Sequence, residues 1–211
     1  MTLHEMASAL MLLLREGSVS DDEKLDIRLL KDLIKSKRSE YIAKTSKPGY
    51  GISNNATQDY FVNFELSPKG ELISTTEIPD IIHGVGGPLI REITSNDRLD
   101  IYPFTYVPIG RFRFSGNGKY NQNMLYATIM DSHLYLKSKN DAYKLITSCY
   151  IDAAFEDPLD IPGFSDELDD YPIDNQGFEY IKDAMFQKDL SYFVAGESDL
   201  TNDADGEIPG V

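Results

Sequence analysis

The chain has 211 residues, enough to bury a sizeable core, and its 41% apolar and 11% aromatic content excludes wholesale disorder. A net charge of −15 argues against an extensive phosphate-gripping surface and against anionic membranes, since both draw on Lys and Arg. The single cysteine, Cys149, allows no intramolecular disulfide and, set in a strand-like pattern, reads as a buried small apolar residue.

Leu3, Met6, Leu10, Leu13 and Leu14 fall at three-to-four spacing and predict a helix over 3–16. Thr2 and Glu5 have capping-box spacing, His4 beside them faces solvent, and Gly17 is a natural stop. The run Leu10 to Leu14 is too short to span a bilayer and no signal-type core precedes it, so a soluble protein made in a cytoplasm is expected. A second helix is predicted over 21–43, with Ser20 and Glu23 repeating the capping box. Asp21, Asp22 and Glu23 sit at its positive end, and Lys35, Lys37, Arg38 and Lys44 at its negative end. Leu25, Leu29, Leu33 and Ile34, with Ile27 and Leu30 alongside, form its apolar face. So short a connection predicts an antiparallel helical hairpin, either packed on a core or used as an oligomerisation arm.

A turn-rich connector at 47–55 leads to a predicted strand at 60–66, a turn at 67–70 and a return at 71–77. The proline-rich segment 78–108 offers short strands at 89–94 and 100–106. Its loop His83-Gly84-Val85-Gly86-Gly87-Pro88 lacks phosphate-loop spacing, and the chain has no Gly-x-Ser-x-Gly elbow to go with an oxyanion motif. It reads as a flexible loop at a subunit contact. The stretch 111–115 (RFRFS) alternates Arg111 and Arg113 outward with Phe112 and Phe114 inward, which suits a core-facing strand better than a base-stacking platform. With strands at 124–130, 133–137 and 143–152 it predicts a four-strand antiparallel meander.

In the last of these strands Tyr143, Leu145, Thr147, Cys149 and Ile151 share one face. Phe155-Glu156-Asp157-Pro158 then turns a corner, with Phe155 anchored in a core, Pro158 fixing the exit, and Glu156 and Asp157 capping or pairing locally. Residues 156–174 carry carboxylates and no Lys or Arg, and three prolines keep them extended. This acidic crossing is either a solvated loop or a segment lying on a neighbouring subunit's basic surface. A last helix is predicted over 175–195, capped by Asp174 and ended by Gly196. The acidic tail fails as a calcium loop, because Thr201 stands where Asp is needed and no bidentate Glu follows. It reads as a segment ordered on contact with a partner subunit.

The fold class is α+β: an N-terminal helical hairpin (1–46), an antiparallel β meander or barrel-like domain (47–155), and an acidic crossing, C-terminal helix and extended tail (156–211). Three features in this order resemble the ring or adaptor proteins at the portal–tail junction of short-tailed, crAss-like bacteriophages. They are the amphipathic helix 3–16 followed by the charged helix 21–43, the Phe155–Pro158 corner after a late strand, and Asp199-Leu200-Thr201-Asn202-Asp203 after the final helix. The resemblance implies a non-enzymatic virion protein, assembled in the host cytoplasm into a homo-oligomeric, twelve-fold ring. Its partners would be the portal and other tail ring proteins, with DNA only as transiting cargo, no membrane, no metal and no cofactor. On that reading the subunit-interface candidates are Leu3, Met6, Leu10, Leu25, Leu29, Phe155, Glu156, Asp157, Asp199, Asn202 and Asp203. The competing classes are a ligand- or host-binding β module and an enzyme. Against the enzyme, His4, His83 and His133 are scattered with no nucleophile–base or metal-ligand spacing.

Overall fold

A computed structural model describes residues 1–14, 26–46, 52–95, 104–116 and 124–189. Helix α1 (Leu3–Leu14) opens on the expected capping box: the Thr2 amide donates to Glu5 Oε2 (2.9 Å) and the Glu5 amide to Thr2 Oγ1 (3.2 Å). Helix α2 (Ile27–Thr45) starts later than the charge pattern predicts. Asp26 is extended, and its carboxylate accepts from the Arg28 amide (3.0 Å), so it is the N-cap, and a cap cannot lie inside the helix. Ser20, Glu23 and Leu25 lie outside the described residues.

The strands are β1 (Gln58–Leu66), β2 (Leu72–Ser74), β3 (His83–Gly84), β4 (Gly87–Pro88), β5 (Ile90–Ser95) and β6 (Phe104–Tyr106). After a short helix α3 (Ile109–Phe112) come β7 (Leu125–Met130), β8 (His133–Lys137) and β9 (Ser148–Ala153). Seven of them form one mixed sheet in the order β5-β9-β1-β2-β8-β7-β6, and β5 comes back near β6, so the sheet is a nearly closed barrel. All pairs are antiparallel except β6–β7. Val62, Leu134, Leu136, Cys149, Ile151 and Phe155 are fully buried in its core. Burial pushes the Cys149 thiol up to about 12, as an inert apolar-site cysteine should behave.

Three details differ from the predicted meander. The RFRFS stretch is not a strand: Arg111 and Phe112 amides both donate to the Pro108 carbonyl (2.8 and 3.1 Å), closing one helical turn. Phe112 is buried but Phe114 is 74% exposed, and the place beside β7 is taken by β6. Alternation over four residues cannot be told from one helical turn, and Pro108 sets that turn's entry. Second, residues Asp141–Leu145 form a 3₁₀ turn, so Leu145 is 82% exposed instead of core-facing, and the strand begins at Ser148. Third, β9 does not follow β8 in space; it inserts between β5 and β1. The glycine loop is an ordered two-residue hairpin, β3–β4, turning at Val85–Gly86.

The β7–β8 hairpin turns through Asp131 and Ser132, both left-handed (φ 51° and 58°). That is the type I′ geometry a two-residue hairpin demands, and without glycine it costs about 1–2 kcal/mol per residue. The Ile78 amide, donating to the Ser132 carbonyl (2.7 Å), helps hold it.

Helix α4 (Asn175–Ala184) is capped by Asp174, whose Oδ1 accepts from the Gly177 amide (2.6 Å), and it runs into a single π turn, Met185–Asp189. The predicted continuation to 195 and the tail lie outside the described residues. α4 packs on α2, as α1 does, so the N-terminal hairpin is completed by the C-terminal helix. Leu3, Met6, Leu10, Leu30, Ile34, Tyr171, Ile181 and Met185 bury one another in this second core. Among the described residues no helix is long and apolar enough to cross a membrane.

Candidate functional site

The helical layer and the barrel meet at the corner after β9, and the corner is built around Arg38. The buried stripe of α2 is Leu30, Ile34, Arg38 and Ile42, each four residues from the last. Arg38 is 0% exposed. Its Nε donates to the Pro172 carbonyl (2.9 Å), Nη1 to Phe155 (2.7 Å) and Nη2 to Ala56 (3.1 Å). The guanidinium carbon lies 5.5 Å from the centre of the Tyr171 ring. One side chain thus ties α2 to the corner, to the start of the barrel and to the end of the acidic crossing. Burial pulls its pKa down, opposed by Tyr171 and Asp157, but a guanidinium stays charged in proteins. Lysine, a point charge without a planar fork, cannot make these three divergent bonds.

Phe155 is buried beside it, edge-on to Tyr60 with ring centres 6.0 Å apart. Its backbone bridges Ile81. Asp157 both caps and pairs: Oδ1 accepts from the Leu159 amide (3.0 Å) and Oδ2 from Lys35 Nζ (2.8 Å). Glu156 is exposed.

The acidic crossing lies along this subunit's own helices. Lys31 Nζ donates to Asp166 Oδ2 (2.6 Å), the His4 amide to the Asp166 carbonyl (3.1 Å) and the Tyr171 amide to the Met1 carbonyl (2.9 Å). The hydrogen bond from Lys31 holds the Asp166 carboxyl below its usual range. Turns at 158–163 and 166–169 replace the extended run that the prolines suggest. The outer surface keeps Glu156, Asp160, Glu167 and Asp170 exposed, together with Leu159 and Leu168, the latter at 84%.

Of the residues expected at a subunit interface, Leu3, Met6, Leu10 and Phe155 are enclosed within one subunit. Leu29 is 44% exposed. Leu25, Asp199, Asn202 and Asp203 lie outside the described residues. By charge alone Arg38 is one cation among several near a helix end. A signal was present: it is the lone charge on an i, i+4 apolar stripe.

The histidines do not converge. His83 lines a cleft of about 170 Å³ with Asp80, Tyr106 and Ser132, and neither His4 nor His133 lines it. His133 Nδ1 sits 2.8 Å from the Asp131 carbonyl. Among the described residues no group of three or more His, Cys, Asp or Glu is arranged to hold a metal. What the geometry offers is a two-layer body, tied together through Arg38, with acidic and apolar side chains on its outer surfaces.

No curated protein matches the chain. Residues 5–208, nearly its whole length, match a family model described as phage tail ring protein 2, from the crAss-like phage ring series.

Proposed function

This chain belongs to the phage tail ring protein 2 family of crAss-like phages, a structural component of the virion, and we propose that it forms an adaptor ring at the portal–tail junction. Twelve copies surround the path of the DNA, touching the portal on one side and further tail rings on the other. The ring catalyses nothing; it bridges and conducts. The match across 5–208 carries this reading, because it spans both cores and the acidic crossing between them.

Electrostatics agrees with a conduit. Twelve copies at −15 each bring the ring to about −180, which repels a passing polyanion instead of gripping it. A rigid subunit suits a stacked ring, and Arg38 makes the two layers one body. Cryo-electron microscopy of intact particles tests the placement. The expected result is one ring of this chain in register with the portal. Particles that lack the chain, or carry it away from the portal vertex, overturn the reading.

A further inference from the structure

The charge of this chain is not evenly spread. Between Phe104 and Asn140 it carries Arg111, Arg113, Lys119, Lys137 and Lys139 against one acid, Asp131, a net charge of +4 that leaves −19 on the rest. In the fold α3 packs on β7, and β8 carries Lys137, which lies over the Phe112 ring at 5.8 Å and donates to the Arg113 carbonyl (3.3 Å). Arg111, Arg113 and Lys139 are exposed, and Ile109 and Phe114 are exposed among them. None of the ion pairs among the described residues uses Arg111, Arg113, Lys137 or Lys139. This surface therefore combines exposed apolar and basic side chains.

The acidic crossing exposes the same combination with the opposite sign. Leu159 and Leu168 stand exposed among Glu156, Asp160, Glu167 and Asp170. The two surfaces belong to different layers: the crossing lies along α1 and α2, whereas the patch sits on β7 and β8 of the barrel. A ring closed by rotation needs two different, complementary faces on each subunit.

We propose that the α3–β8 patch of one copy docks on the acidic crossing of the next, making the head-to-tail interface of the ring. The occupant is a second copy of this chain. Phe114 and Ile109 meet Leu159 and Leu168 at the centre, and Arg111 and Arg113 face Asp160 and Glu167 at the rim. Rim pairs of this kind set register and encounter rate more than affinity and are screened by salt. The apolar centre then holds the contact. The proposal rests on the ring reading above and adds which faces close it.

Two charge-reversed proteins test it: R111E/R113E, and D160K/E167K. Each change is on an exposed side chain, and circular dichroism checks that each protein folds. Each variant alone is expected to lose the ring and run as a monomer. An equal mixture is expected to recover it, because an alternating ring pairs every native face with a native face and every reversed face with a reversed one. A variant that assembles alone as the parent does, or a mixture that stays monomeric, overturns the interface. So does a patch that proves to contact DNA or another protein while rings of R111E/R113E persist. The parent is measured alongside: if it forms rings and the variants do too, only the face assignment falls. If the parent itself forms none, the ring reading falls with it.

Discussion

Arg38 shows how one residue decides whether two layers behave as one body. Its three hydrogen bonds end on carbonyls from three segments far apart in sequence, at 56, 155 and 172. Truncating it leaves buried acceptors with no donor, and each such group costs about 1–3 kcal/mol. Arg38→Ala is therefore expected to destabilise the protein by about 3 kcal/mol or more, and Arg38→Lys to recover less than half of that. Urea unfolding checks both; a lysine variant as stable as the parent would refute the fork. Gly177 gives a second test with competing terms. Alanine gains about 1 kcal/mol of helix propensity there. Its Cβ, however, would sit 2.6 Å from the Ile173 side chain and 2.7 Å from the Tyr41 ring. Tyr41 is held by Tyr180, with ring centroids 5.3 Å apart, and by the bond its hydroxyl donates to Asp174 Oδ1 (3.3 Å). Overpacking of this kind costs about 1–3 kcal/mol, so Gly177→Ala is expected to lower stability on balance, as a reduced Tm would show.

Among the elements, those with a local signature were legible in the sequence. The capping box at Thr2 and Glu5, the Asp174 cap and the burial of Cys149 and Ile151 all follow from spacing alone. What spacing could not supply was anything set by long-range pairing. The four residues RFRF satisfy a strand and a helical turn alike, and only β6 occupying the edge beside β7 excludes the strand. The insertion of β9 between β5 and β1 has no local signal at all. Nor does the choice of Arg38, out of four cations late in α2, as the buried one, except through its place on the apolar stripe. The acidic crossing adds a pH dependence. Lys31 lowers the folded-state pKa of Asp166, so the strap contributes fully above the unfolded carboxylate value of about 3.9 and is lost as pH falls below it through the lowered value. Unfolding measured from about pH 5 down to about pH 2 should show stability falling once the pH drops towards the unfolded carboxylate value, with a smaller fall for Asp166→Asn. Equal slopes in the two proteins would rule out this pair as a contributor.

The whole molecule is proposed to close a ring. Its net charge of −15 opposes association in general, while the local reversal between 104 and 140 is proposed to favour one arrangement in which opposite signs meet. Such a contact should weaken as salt rises, in contrast to the two interior cores, which are apolar. Native mass measurement of the purified chain at high concentration is the most direct test. A closed oligomer of twelve 23.8 kDa subunits, about 286 kDa, is expected, with no ladder of open intermediates at saturation. A species that stays at the mass of one chain across the concentration range would contradict it.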